Sequence, residues 1–75
     1  MTNKLKIFRK ELGLRQEDIA VDLGVTRQTI IAIENGKFNP SLELALQICE
    51  YLHKSVEEVF FFVKRYQPVH SFANI

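Results

Sequence analysis

The chain has 75 residues, 47% hydrophobic and 25% charged, with a formal net charge of +1 at pH 7, a size that makes one small domain whose core is marginal without tight packing or a partner. No apolar run approaches the ~18 residues of a membrane span, and no long apolar segment at the N-terminus suggests a secretory signal. The single cysteine, Cys49, cannot form an internal disulfide, which fits a reducing cytoplasm.

The charge is unevenly placed. Residues 1–40 carry seven basic side chains (Lys4, Lys6, Arg9, Lys10, Arg15, Arg27, Lys37) against five acidic ones, whereas residues 41–75 carry three against four. The first half is therefore the positive half, too mildly to identify a nucleic-acid partner by itself. All three glycines fall at predicted helix ends. A first helix is predicted over about 3–12, with Gly13 as its left-handed stop and Leu14 folding back behind it. Its apolar stripe, Leu5-Phe8-Leu12, includes Arg9, a charge that needs a partner unless it snorkels its head to the edge. A second helix over about 16–23 and a third over about 27–35 are separated by a tight turn at Gly24-Val25. Thr26 caps the third helix and Asn35-Gly36 stops it. Buried-type residues fall at Ile19, Ala20, Leu23, Val25, Ile30 and Ile33. Ala20 is small where two helices must cross, and Gly24 can take the positive φ of a sharp inter-helix turn.

Ser41 is the predicted N-cap of a fourth helix running to about 52. Only Glu43, Gln47 and Glu50 are polar within it, so it is expected to be the central core helix. Ser55 and Glu58 form a capping box for a fifth helix running to about 61, with Phe60 continuing the face of Val56 and Val59 into the core. Residues 1–61 thus form the domain and residues 62–75 a tail. From Phe61 the sequence FFVKRYQPVHSFANI shows rough alternation and no helical period. Such a segment either docks as an extended strand on its own domain, with Ile7 as part of what it covers, or packs against a second chain. Phe61 and Phe62 are surplus to the fifth helix's inner face, which favours an interface shared with Val63, Tyr66 and Phe72.

With Ile30 and Ile33 holding the third helix down on the second, Arg27, Gln28, Ile31 and Ala32 are left facing out. A helix presented in that way fits the DNA major groove. The run from Gln16 to Gly36 resembles the helix-turn-helix of the phage repressor/Cro family, the xenobiotic-response-element type. The resemblance is carried by Gln16, Ala20, Gly24, Thr26-Arg27-Gln28-Thr29-Ile30 and Ile33-Glu34-Asn35-Gly36. It extends to Arg9-Lys10, Leu12-Gly13-Leu14, Asn39-Pro40-Ser41-Leu42 and Leu44-Ala45, and covers roughly residues 3–61.

The resemblance implies an all-α, five-helix fold, to which this chain adds a short extended C-terminal tail with β structure as one open form. It also implies double-stranded DNA as the partner, and Glu34 as the ion-pair partner of Arg9. Arg27 and Gln28 open the helix end that enters the groove in this family, and a bidentate Arg to guanine and Gln to adenine would supply base contacts. A solvated first turn, or phosphate contacts alone, is the plainer account. Ile31 and Ala32 would touch thymine methyls or be ordinary exposed apolar residues. Gln16 opens the second helix, whose free N–H groups form an anion site that the family uses as a phosphate clamp. Arg15 departs from the family, which has Ser, Thr or Asn there. An arginine cannot accept the cap hydrogen bond and its charge opposes the helix dipole, with Glu17 and Asp18 partly compensating. Arg15 then answers either to a nearby phosphate or to a tolerated surface position. Thr26, Asn35 and Lys37 complete the expected phosphate contacts.

His53 and His70 have no companion at ligand spacing, so no metal is expected, and no nucleophile–base constellation or glycine-rich phosphate loop suggests an enzyme or a cofactor. The chain is expected to be a cytoplasmic homodimeric regulator, most simply a repressor, on a pseudo-palindromic operator. An antitoxin-like or adaptor module whose tail binds another protein is the alternative.

Overall fold

The structure, a computed structural model, describes residues 1–62. In chain order the elements are β1 (Thr2–Asn3), α1 (Leu5–Glu11), α2 (Gln16–Leu23), α3 (Arg27–Glu34), α4 (Leu42–Leu52), α5 (Val56–Val59) and β2 (Phe60–Phe61). The helical architecture is the expected one, with a small antiparallel ribbon added. Val63, Tyr66 and Phe72, expected at an interface, lie outside the described residues.

Two helix boundaries differ from the sequence reading, and for one reason. The first helix starts at Leu5 rather than near residue 3, and the fifth ends at Val59 rather than near residue 61. The residues released pair with each other, Thr2 opposite Phe61 and Asn3 opposite Phe60. Lys4 donates its N–H to the Val59 carbonyl at 2.8 Å. Asn3 also accepts the Leu5 N–H on its side-chain oxygen at 3.2 Å and donates its amide to the Ile33 carbonyl at 2.8 Å. An asparagine able to satisfy neighbouring backbone groups competes with helix continuation, and here the competing bonds reach the far end of α3. The chain leaving α5 thus pairs with its own N-terminus as far as Phe61; the path of the tail beyond lies outside the described residues.

A single core joins every helix: Leu5 from α1, Ile19 and Ala20 from α2, Ile30 and Ile33 from α3, Ala45, Ile48, Cys49 and Leu52 from α4, Val59 from α5, and Phe60 from β2. Phe8, Leu23, Val25, Leu44 and Tyr51 pack around it. Leu12, on the expected stripe of α1, is exposed. So are Leu42 and Leu46, although α4 supplies more of the core than any other helix. Residues 45, 48, 49 and 52 make one face at 3.6 residues per turn, and 42 and 46 fall beside it. Burial pushes the Cys49 thiol up from its ordinary pKa, with the Glu57 charge adding to the effect. The Tyr51 hydroxyl donates to Asp22 at 2.6 Å and ties α4 to α2. That bond, more than burial, pushes the phenol up to about 12. No helix among the described residues is long and apolar enough to cross a membrane.

α4 ends without a glycine. His53 takes the left-handed conformation, φ 55° and ψ 43°, while its own N–H and that of Lys54 bond the Glu50 and Cys49 carbonyls at 3.2 and 3.0 Å. A side chain in that region is strained by about 1–2 kcal/mol, and glycine is not, although glycine loses more freedom on folding. His53→Gly is therefore expected to raise stability by about 0.5–1 kcal/mol. Urea titration checks this, and a lowered midpoint would mean that the imidazole contributes more than its backbone costs.

Candidate nucleic-acid interface

α2 and α3 are joined by Gly24 (φ 70°, ψ 29°), with the Gly24 N–H on the Val21 carbonyl at 3.2 Å and the Val25 N–H on the Ala20 carbonyl at 3.0 Å. A Cβ on Gly24 would meet nothing within 4 Å, so the requirement for glycine is conformational rather than steric. Thr26 then caps α3 by accepting the Thr29 N–H at 3.2 Å, and the two threonine hydroxyls lie 3.0 Å apart. Ile30 and Ile33 are fully buried beneath α3.

Arg27 and Gln28 stand exposed at the N-terminal end of α3. Ile31 and Ala32 are half-buried rather than free of the domain. The Ala32 carbonyl accepts the N–H groups of both Lys37 and Phe38, at 2.9 and 3.2 Å, so the chain curls back over that turn of the helix. The two apolar residues are thus explained in part by packing and do not extend as far as Arg27 and Gln28. Asn35 and Lys37 are exposed just beyond the C-terminal end of α3.

One buried charge network fixes the helices relative to one another. The Arg9 Nε donates to Glu34 Oε2 at 2.7 Å and Nη2 to Oε1 at 3.3 Å, while Nη1 donates to the Leu14 carbonyl at 2.6 Å. The two side chains retain only 7% and 2% of their exposure. Gln16 adds a bond from its amide Nε2 to Glu34 Oε1 at 3.1 Å. Glu34 therefore ties α1, the start of α2 and the end of α3 into one unit. Among the described residues every buried side-chain polar atom has a partner, as a charge network at low exposure requires. The Arg9–Glu34 pair stands where the sequence expected it. The Gln16 bond was not foreseen: its side chain is committed inward, leaving the second amide hydrogen and the start of α2 for any anion.

Arg9, Arg15, Gln16, Glu17 and Arg27 line one open cleft beside α3, so residues from α1, the α1–α2 loop, α2 and α3 converge there. Arg9 is held by Glu34, which leaves Arg15 and Arg27 as the exposed cations at the border of the cleft. Arg15 precedes α2 and supplies no side-chain acceptor; instead Asp18 accepts the Arg15 backbone N–H at 2.7 Å. That bond, followed by the Arg15 side chain, holds the Asp18 carboxyl below its ordinary range. The candidate interface residues in the tail divide. Phe61 is half-buried in β2 with the Lys4 ammonium 5.7 Å from its ring centre, whereas Phe62 is 67% exposed.

An α-helix carried proud of the domain on a buried partner, with arginine and glutamine at its leading end and cations on either flank, defines a DNA-binding helix-turn-helix protein. Residues 5–59 match the helix-turn-helix family. An HTH-type transcriptional regulator of Methanocaldococcus jannaschii is 52% identical over 62 residues, which cover 83% of this chain and 94% of that relative. The HTH-type transcriptional regulator YgzD of Bacillus subtilis is 48% identical over 60 residues, 80% of this chain and 91% of YgzD. A third HTH-type regulator, from Methanothermobacter thermautotrophicus, is 49% identical over 61 residues, 80% and 88% of the two chains. The chain belongs to the Cro/C1-type helix-turn-helix family of DNA-binding transcriptional regulators.

Proposed function

We propose that the protein is a cytoplasmic repressor that binds a pseudo-palindromic operator as a homodimer, with α3 of each copy in the major groove. The observation that carries this is the pairing of Arg27 and Gln28, both exposed, on a helix whose opposite face is locked by Ile30 and Ile33. Arg27 would fork onto guanine O6 and N7 and Gln28 onto adenine N6 and N7. Ile31 and Ala32 would meet thymine methyls where the groove wall approaches the half-buried turn. Arg15, Gln16, Thr26, Asn35 and Lys37 would hold phosphates on the two flanks, fixing register without reading sequence.

Two copies would place their α3 helices about 34 Å apart, one DNA turn. A small domain with exposed Phe38, Leu42, Leu46 and Phe62 gains by covering apolar surface with a second copy, and a two-fold dimer is the commonest closed solution. Selection of bound sites from random duplex DNA is expected to return an inverted repeat. Sedimentation at micromolar concentration is expected to give a dimer, and a monomer would remove the two-fold arrangement. Gln28→Ala should weaken operator binding by about 1–3 kcal/mol and leave binding to unrelated duplex nearly unchanged. Equal losses on both duplexes would make Gln28 a phosphate contact. Lys37→Ala should instead weaken both alike and lower the salt slope by about one unit. An unchanged slope would remove Lys37 from the interface.

A further inference from the structure

Arg15 borders two clefts of opposite character. One, beside α3, is lined with Arg9, Gln16, Glu17 and Arg27; the other, along the outer face of α2, is lined with Leu14, Glu17, Asp18, Val21 and Asp22. The Arg15 side chain is 80% exposed. It rests on the acidic side, with Nε 3.4 Å from Asp18 Oδ2 and Nη2 3.4 Å from Oδ1. Those contacts are long and solvated, so the pair is weak and its geometry is replaceable. Asp18 Oδ2 has a second, tighter task, accepting the Arg15 backbone N–H at 2.7 Å to cap α2. Capping needs one oxygen acceptor, which an uncharged amide also offers; holding the guanidinium calls for the charge.

The resting position follows from electrostatics. Glu17 lines both clefts and favours neither; Arg27 repels a second guanidinium from the cleft beside α3, and Asp18, with Asp22 beyond it, attracts one to the outer face. A DNA phosphate at the start of α2 reverses that balance. We propose that Asp18 holds Arg15 away from the DNA-facing cleft in the free protein, so that duplex binding must break the Arg15–Asp18 pair and Asp18 lowers the affinity for DNA of any sequence. This rests on the proposed phosphate role of Arg15. A phosphate contact carries no sequence information, so Asp18 restrains occupancy of operator and bulk DNA alike and leaves their ratio unchanged. Hydrogen bonding to Asp18 also raises the Arg15 pKa, in keeping with a guanidinium engaged by that carboxylate.

Fluorescence anisotropy on the full chain, with a selected operator and an unrelated duplex at one low salt concentration, tests the inference. Asp18→Asn keeps the cap acceptor and is expected to tighten both duplexes by about two- to five-fold, the range of a weak exposed ion pair. The gain should vanish in an Arg15→Ala background. No gain from Asp18→Asn, or an equal gain in the Arg15→Ala background, would overturn the proposal and leave Asp18 as a cap or a general repulsive charge. In the unaltered protein the Arg15 Nε–H resonance should move when operator is added, and a stationary resonance would also overturn it. An unaltered protein that binds no selected duplex would sink the DNA-contact reading itself, and this inference with it.

Discussion

Glu34→Ala is expected to remove about 3–5 kcal/mol of stability, the usual cost of stripping one partner from a buried ion pair. The substitution leaves the Arg9 guanidinium, whose side chain is 7% exposed, without a counter-charge, and deprives the Gln16 amide of its acceptor. A chain this long has a total stability of about 4–11 kcal/mol, so much of the population could unfold at 25 °C. The loss measures an orphaned charge and exceeds what the intact pair contributes. Replacing both members by leucine should therefore recover most of it, because the desolvation cost disappears with the charges. Urea titration of the unaltered protein, Glu34→Ala and the double Arg9→Leu/Glu34→Leu variant distinguishes these terms. A Glu34→Ala loss near 0.5 kcal/mol, typical of a surface site, would mean that the network is open to water. Where Glu34→Ala remains folded, operator binding should still fall, because the same carboxylate orients α3 against α1 and α2.

Phe60→Ala is expected to cost a further about 3–5 kcal/mol, measured alone, as a buried aromatic truncated to a methyl. Phe60 is 6% exposed within the core and lies opposite Asn3 in the ribbon. Asn3 in turn bonds the Ile33 carbonyl near the end of α3, so loosening the ribbon should release that end of the recognition helix. Phe60→Leu keeps the apolar contact and should cost only about 1–1.5 kcal/mol. Hydrogen exchange gives the sharper readout: amides of residues 2–4 and 33–36 should lose protection together in Phe60→Ala. A stability loss below about 1 kcal/mol would mean that Phe60 is not a core residue.

The ribbon and the Gln16 bond mark where sequence reasoning stopped. Local pattern alone favours a helix from Asn3, continuing the periodicity of Leu5, Phe8 and Leu12. Its actual partners, Phe60 and Ile33, are 57 and 30 residues away along the chain, and no local signal reports them. The pattern places Phe61 off the inner face of α5, without saying whether it meets its own domain or a second chain. Once the backbone turns extended at Phe60 (φ −118°, ψ 127°), the period changes from 3.6 to 2, and Phe61 joins an intrachain strand. His53 carried no glycine to announce its left-handed φ.

What the sequence determined by itself was everything whose cause is local or periodic. The helices from Gln16 to Leu23 and from Arg27 to Glu34, the positive φ at Gly24, the caps at Thr26, Ser41 and Ser55, and the buried face of Ile30 and Ile33 all follow from spacing and backbone chemistry within a few residues. Arg9 declared itself because a charge on an apolar stripe demands a partner. The tertiary structure decided what depends on meetings between distant segments. It turned the Gln16 amide inward to Glu34, half-covered Ile31 and Ala32, and left Leu42 and Leu46 outside the core. It also placed Arg15 between an acidic cleft and one that Arg27 shares with Glu17. Burial and electrostatic competition are set by which surfaces are brought together, and a one-dimensional pattern carries that information only through its consequences.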